Sequence, residues 1–532
     1  MNKYIVSAFV LGASAVTFTA CDDYLDTMPD NRTTLDNEDK VQKMLTSAYP
    51  DHEFITATEL LADNSDEYPR FNSDSRWQDD TYNWKDEMES DNSSVKNIWE
   101  GSYVSIAATN EVLDALGNPT SVKGQQMRAE ALVCRAYNHF VLASIFCKAW
   151  TQNAEQDLGL PYMTSSEKDL APKYERGNLK DFYDNIQTDL EEGLKNISDD
   201  YYTVPKYHFN VKAAWAFACR FYLYTEQWEK AIDAANRVLG TNPVSVLRDW
   251  KALNTTSDRD AVWNMYVDAS NPANLLLATG YSNLGLMYGN WSYYSRYNHG
   301  LTLAALETIG MNYSKGGIGY NKQIYGSHSY IRKRPGYYAG SGIDKVIFFK
   351  LPYKFEYTDL VAGIGYRHTV TTLFTTDEVL LNRAEAYIMT NQYDLAAADL
   401  TTWKNNFTTN TTKLTPEYIQ NFYKDLPYAY SDDQKTESQI KKHLNPAFAI
   451  DAEGSVQECM LQCMLGFRRI ETLQTGLRWF DIKRYGIEIP RRQIDVTNKP
   501  MARTDWLSKD DPRRAVQIPL DVRDAGLTPN PR

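Results

Sequence analysis

Rings outnumber reactive groups in this chain. It carries 37 tyrosines and 12 tryptophans but 7 histidines. An aromatic ring offers an apolar face, and tyrosine adds a polar tip. Such a ring can cover the apolar face of a pyranose or furanose. Asp, Asn and Arg beside it can bond the hydroxyls, the charged groups more strongly. Two stretches concentrate these residue types, 63–97 and 281–338. In the first, Trp84 follows Tyr82-Asn83 in a polar setting, with Trp77 and Asp66 upstream. The second holds Trp291, Tyr293, Tyr294 and Tyr297. Arg367 sits in Gly363-Ile364-Gly365-Tyr366-Arg367-His368, where glycines let backbone approach a ligand closely. Any one of these rings could equally pack in a core. As clusters they favour binding.

Signals for catalysis are weak. No GxSxG, HExxH or GxxxxGK[ST] pattern occurs. A glycoside hydrolase needs two carboxylates about 5–5.5 or 6.5–9.5 Å apart. With 69 acidic residues that alternative stays open, because sequence does not give the spacing. Asp79-Asp80 and Asp86-Glu87 could hold a structural calcium ion, but the EF-hand spacing is missing. Solvated acidic loops suit them better, and no cofactor is expected. Apart from Cys21, the cysteines are Cys134, Cys147, Cys219, Cys459 and Cys463. An odd count gives no disulfide framework, and their apolar helical settings read as core packing. A net charge of −13 argues against nucleic acid as a partner and against a polybasic membrane face.

The elements that must position these groups are mainly helical. Apolar residues at three- and four-residue spacing predict helices over 125–150 and 179–194. Helix pairs are predicted over 213–239 and 376–403. The two pairs overlay without a gap: Tyr222 on Tyr387, Thr225 on Thr390, Gln227 on Gln392, Trp228 on Tyr393, Ala231 on Ala396. Helix, tight turn, aromatic and alanine-rich helix resemble the tetratricopeptide pair, whose copies stack to bury their apolar faces. Arg128-Ala129-Glu130-Ala131 echoes Arg383-Ala384-Glu385-Ala386 and suggests a third copy. The aromatic stretches would be ordered loops on this scaffold, since disordered segments are poor in aromatics.

The N-terminal residues predict an address. Lys3, an apolar run from Tyr4 to Val16, and Thr17-Phe18-Thr19-Ala20-Cys21 read as a signal peptide over 1–20. The run is short of the roughly 20 residues that span a bilayer. Cysteine after Ala20 resembles a bacterial lipoprotein signal, with Cys21 lipidated and first in the mature chain. Asp22-Asp23 beyond it resembles a surface-export signal.

Near the other end stand Leu465-Gly466-Phe467-Arg468-Arg469-Ile470-Glu471 and Gly476-Leu477-Arg478-Trp479-Phe480-Asp481-Ile482-Lys483-Arg484. The chain closes with Gln517-Ile518-Pro519-Leu520 and Asn530-Pro531-Arg532. Together these resemble the SusD/RagB family of Bacteroidetes outer-membrane lipoproteins. The family's second motif has Glu where Thr475 stands. The resemblance implies a mostly α fold, with tetratricopeptide-like helix pairs carrying irregular aromatic loops near 63–97 and 270–370, as a single domain over 21–532. It also implies a non-catalytic, lipid-anchored protein at the cell surface on the outer membrane. That protein would bind oligo- or polysaccharide and deliver it to a SusC-like TonB-dependent transporter. Peptide delivery by the same architecture is the alternative. The arginine-rich motif itself reads as a structural ion-pair network, because i,i+3 and i,i+4 partners can form there.

Overall fold

Helix starts are written locally as side chains that accept the first free N–H groups. In the computed structural model Ser94, Ser121, Asn178, Asn210, Thr375 and Ser455 each accept from the backbone N–H three residues on, at 2.8–3.3 Å. The structure describes residues 35–532 apart from 73–74, 168–171, 257, 289–294, 311–321, 327–335, 338–345, 349, 351–353, 431–437 and 498. The helices that carry the argument are α1 (Val95–Leu116), α2 (Val122–Phe146), α3 (Leu179–Gly193), α4 (Val211–Tyr224), α5 (Trp228–Leu239), α6 (Thr376–Met389), α7 (Tyr393–Phe407), α8 (Val456–Glu471) and α9 (Arg478–Arg484). The fold is mostly helical, as expected. None of the described helices is long and apolar enough to cross a membrane.

The two overlaid pairs share atomic detail. Glu226 and Asn391, at equivalent turn positions, both adopt φ of 60°. Gln227 N–H donates to the Tyr222 carbonyl and Gln392 N–H to that of Tyr387, each at 2.8 Å. Each glutamine amide then donates to the threonine of its turn at 2.9 Å. The third pair, α2–α3, differs from expectation in register. Arg383 forks onto Asp399 at 2.7–2.8 Å. In α2–α3 the matching fork, onto Asp189 at 2.7–2.8 Å, comes from Arg135 and not from Arg128. A thirty-two-residue connection, 147–178, also replaces the tight turn. The five described cysteines are free and buried.

Helix α2 stops four residues short of the predicted Trp150. Lys483 Nζ takes the carbonyls of Ser144 and Cys147 at 2.6 Å, and Asn530 Nδ2 takes that of Phe146 at 2.8 Å. These contacts tie α9 and the C-terminal Asn-Pro element to one helix end.

Among the described residues the strands form three small sheets. One has order β3-β1-β8-β9, with β1 Asp66–Glu67, β3 Tyr297–Asn298, β8 Ile489–Ile494 and β9 Pro500–Leu507. The second has order β2-β7-β6, with β2 Asn274–Tyr281, β6 Lys354–Asp359 and β7 Ile364–Thr375. β4 (Gly336–Tyr337) pairs β5 (Ile347–Phe348). Buried apolar side chains form one cluster that runs from Val41 to Leu527.

The arginine-rich motif is buried, and its partners are mostly distant in sequence. Arg468 forks onto Asp481 at 2.6–2.9 Å and also bonds Glu385 on α6. Arg484 and the Tyr485 hydroxyl reach Glu385 at 2.7 Å. Arg478 forks onto Asp63, and Arg469 bonds Asn64 and Glu307. Thr475 is satisfied within its own turn. Its hydroxyl closes onto the Thr472 carbonyl, and Glu59 accepts the Gly476 N–H at 3.0 Å. Burial alone would raise the Glu385 carboxyl, but Arg468 and Arg484 pull it down to about 2.

A folded pKa below the unfolded value means that Glu385 contributes stability above pH ~4.3, lost as pH falls toward 2. Arg468→Ala takes the fork from buried Asp481 and one of the cationic partners from Glu385, so chemical denaturation at pH 7 should show a loss of about 3–5 kcal/mol. That difference should shrink below pH ~4 as Glu385 takes up a proton. A loss under about 1 kcal/mol at pH 7 would show that the network carries little.

Candidate functional site

Of the five described residues of the expected binding set, four lie in the core. Trp84 is 3% exposed, with its ring against the Arg491 guanidinium at 3.9 Å and its indole N–H on the Leu61 carbonyl at 3.0 Å. Its φ of 53° is unusual for a bulky residue and turns the ring inward from the end of the helix Arg76–Tyr82. Trp77 lies buried in that same helix. Asp66 is buried on β1 and pairs with Arg492 at 2.8 and 3.2 Å. Tyr297 is buried on β3, stacked on Tyr82 at 4.3 Å, with its hydroxyl on Asp79. These four are structural. Cys21, Trp291, Tyr293 and Tyr294 lie outside the described residues.

The polar composition of 63–97 has the same explanation. Asp63, Asn64 and Asp66 serve arginines some 400 residues away. Arg491 alone takes the carbonyls of Leu60, Leu61 and Ala62 at 2.7–2.9 Å, besides that of Tyr82. Asp86 bridges Arg523 and Arg532 at 3.2 Å. Among the described residues, no group of three or more His, Cys, Asp or Glu is placed to hold a metal ion.

Among the described residues of the set, Arg367 alone is exposed, and it marks a site that the sequence reading had not otherwise named. β7 is buried from Thr369 onward, but its first half projects with β6 as a ribbon. Paired residues share a sheet face, and faces alternate along a strand. The register puts Tyr281 and Lys354 opposite His368, and Glu356 opposite Tyr366. It puts Phe355 opposite Arg367 and Tyr357 opposite Gly365. One face therefore carries Tyr281 and Tyr366, with rings 5.1 Å apart. The other carries Phe355 and Tyr357, 4.9 Å apart, beside Arg367. Tyr357 and Tyr366 are 54% and 49% exposed.

The ribbon is held in place. Arg367 Nη1 donates to Asn283 Oδ1 at 2.9 Å, and Asn283 Nδ2 donates to Asp91 at 2.9 Å. Its turn is closed by Asp359, whose carboxylate accepts from the N–H groups of Val361 and Ala362, and by Gly363 at φ 67°. Gly365 is needed for strand pairing and not for ligand approach. A Cβ there would fall 2.0 Å from the Glu356 carbonyl oxygen. Two aromatic pairs, a fixed guanidinium and an ammonium can hold a ligand by stacking and hydrogen bonding.

Residues 23–223 match the SusD-like_3 family, described as "Starch-binding associating with outer membrane". A SusD superfamily protein from Bacteroides thetaiotaomicron superposes with a TM-score of 0.60 at 18% identity, over 94% of this chain and 100% of that one. This chain has the SusD-like fold. A SusD-like carbohydrate binding protein from Bacteroides fragilis superposes at 0.57 with 18% identity, over 93% of this chain and 99% of the other. A SusD-like carbohydrate binding protein from Bacteroides vulgatus gives 0.56 at 15% identity, over 92% and 96%. Comparison with curated proteins returns no match. These likenesses agree in fold with the resemblance carried by the arginine-rich motif, which itself lies outside the matched residues 23–223.

One signal for the ribbon was present in the sequence. Lys354-Phe355-Glu356-Tyr357 alternates apolar and polar residues before a turn with glycine, which is how a half-exposed hairpin reads. Trp84→Ala should cost about 3–5 kcal/mol in stability, as loss of a large buried ring does. Urea denaturation measures it. A variant as stable as the parent would place Trp84 at the surface.

Proposed function

We propose that this SusD-like protein is a cell-surface lipoprotein, anchored through Cys21, that binds oligo- or polysaccharide on the exposed ribbon and passes it to a TonB-dependent outer-membrane transporter. The observation that carries the binding reading is the ribbon itself. Of the described residues, Tyr174, Tyr357, Tyr366 and Tyr418 are the exposed aromatics, and two of the four stand on this one hairpin. Ring faces with Arg367, Lys354 and Glu356 alongside supply stacking and charged hydrogen bonds together. The matched family description and the fold shared with carbohydrate-binding proteins support the same class of ligand. Binding without turnover is the chemistry that such a surface performs.

The lipid anchor has a simple energetic sense. Each buried methylene contributes about 0.8 kcal/mol, and two chains hold stably where one holds marginally. A tethered binder needs no spanning segment if its partner supplies the pore.

Calorimetry against a panel of polysaccharides should show saturable binding, with no product on thin-layer chromatography. Tyr357→Ala or Tyr366→Ala, whichever lies on the face that takes the sugar, should weaken the strongest hit about tenfold, near 1.4 kcal/mol, with the circular dichroism spectrum unchanged. Affinity unchanged in both would remove the ribbon from the site, and product without added enzyme would overturn the non-catalytic reading. Cys21→Ala should move the protein from the membrane fraction to the soluble one. Retention on the membrane would reject the anchor.

A further inference from the structure

A second surface, built from other elements, combines an apolar groove with an acidic rim. Helix α1 presents Tyr103, Val104 and Ala107 at the spacing of one helix face. Val104 is 67% exposed, and Ala107 is exposed too. Met163 and Tyr174 from the segment before α3, with Leu527 near the C-terminus, complete the walls. The groove encloses about 750 Å³, inside the roughly 300–1,000 Å³ common for ligand sites.

Its floor is apolar because its polar groups are already engaged. The Tyr103 hydroxyl donates to the Pro161 carbonyl at 3.0 Å. Asn110 Nδ2 donates to the carbonyls of Met163 and Ser165 at 3.2 Å. Little is left there to bond sugar hydroxyls. The rim carries Glu100, Glu167, Glu175 and Asp521 against Lys173. Lys96 bridges Glu100 and Asp521 at 3.5 and 3.0 Å. Among the described residues, four acids against two lysines give the rim a formal excess of two negative charges. An anionic lipid or fatty acid would meet repulsion, and a bare cation would gain nothing from the floor.

We propose that this groove docks a peptide segment of a partner protein that carries apolar side chains interleaved with Lys or Arg. Apolar residues fill the groove between Val104, Met163 and Tyr174, and the cations meet the acidic rim. The site is independent of the ribbon, and a sugar bound there leaves it unoccupied.

The probe is a blocked decapeptide of alternating leucine and lysine, titrated into the full protein by fluorescence anisotropy. Ala107→Trp fills the groove from an exposed helix position, and Glu175→Lys reverses one exposed rim charge. Each should weaken binding at least tenfold, with polysaccharide affinity unchanged. A serine–lysine decapeptide and a leucine–glutamate decapeptide should each bind at least tenfold more weakly than the probe. No binding, equal binding by the serine–lysine peptide, or binding unaffected by Ala107→Trp would each overturn the proposal. So would displacement of the probe by the polysaccharide that binds best.

Discussion

Burying arginines is the constraint that the rest of this molecule answers to. Removing a guanidinium from water costs several kcal/mol, and the cost is recovered only when every N–H finds a well-placed acceptor. The stretch 468–492 buries Arg468, Arg469, Arg478, Arg484, Arg491 and Arg492 together. The acceptors come from three other regions: Asp63, Asp66 and the carbonyls of 60–62, Glu307, and Glu385 on α6. Early, middle and late parts of the chain are thus joined at one polar centre inside an apolar cluster. Each partner is more costly to remove than to keep, so the centre works as a match between distant segments. Burial would push Glu307 up, yet Lys442, Arg492 and Arg469 hold it well below the usual carboxylate range.

That centre also explains which site residues deceived. Trp84 and Trp77 stand in sequence among Asp, Asn and Ser, a composition that reads as a solvated loop. The acids there are polar because they face buried arginines, and the rings are large because they close the same space. Sequence-local reasoning has no access to partners 400 residues away. What it does see is local. The alanine-rich second helices and the Thr-x-Gln turn were legible, and φ near 60° recurs at Glu226 and Asn391. The third repeat was legible as a pattern but not in register, since its identity lies in the Arg135–Asp189 fork. The arginine-rich motif was legible as structural, and only its partners were misplaced.

With Trp77 and Trp84 internal, the proposed binding falls to what the scaffold leaves outside. Strand β7 shows the division most plainly, with Thr369 to Thr375 inside and Ile364 to Arg367 projecting. The buried half fixes the register, so the exposed half holds its rings in a set alternation without needing a core of its own. A rigid root with an open tip suits a surface that must accept a long, flexible polymer without enclosing it. Preorganised rings lose little conformational entropy on contact, which makes exposed tyrosine a useful residue for this work.

The placement of the ligand is the central claim, and a crystal structure with the best-binding oligosaccharide tests it most directly. The expected result is a sugar ring lying over Tyr357 or Tyr366, with a hydroxyl within hydrogen-bond reach of Arg367 or Lys354. An oligosaccharide seated in the groove beside Val104, or anywhere away from the β6–β7 ribbon, would contradict it.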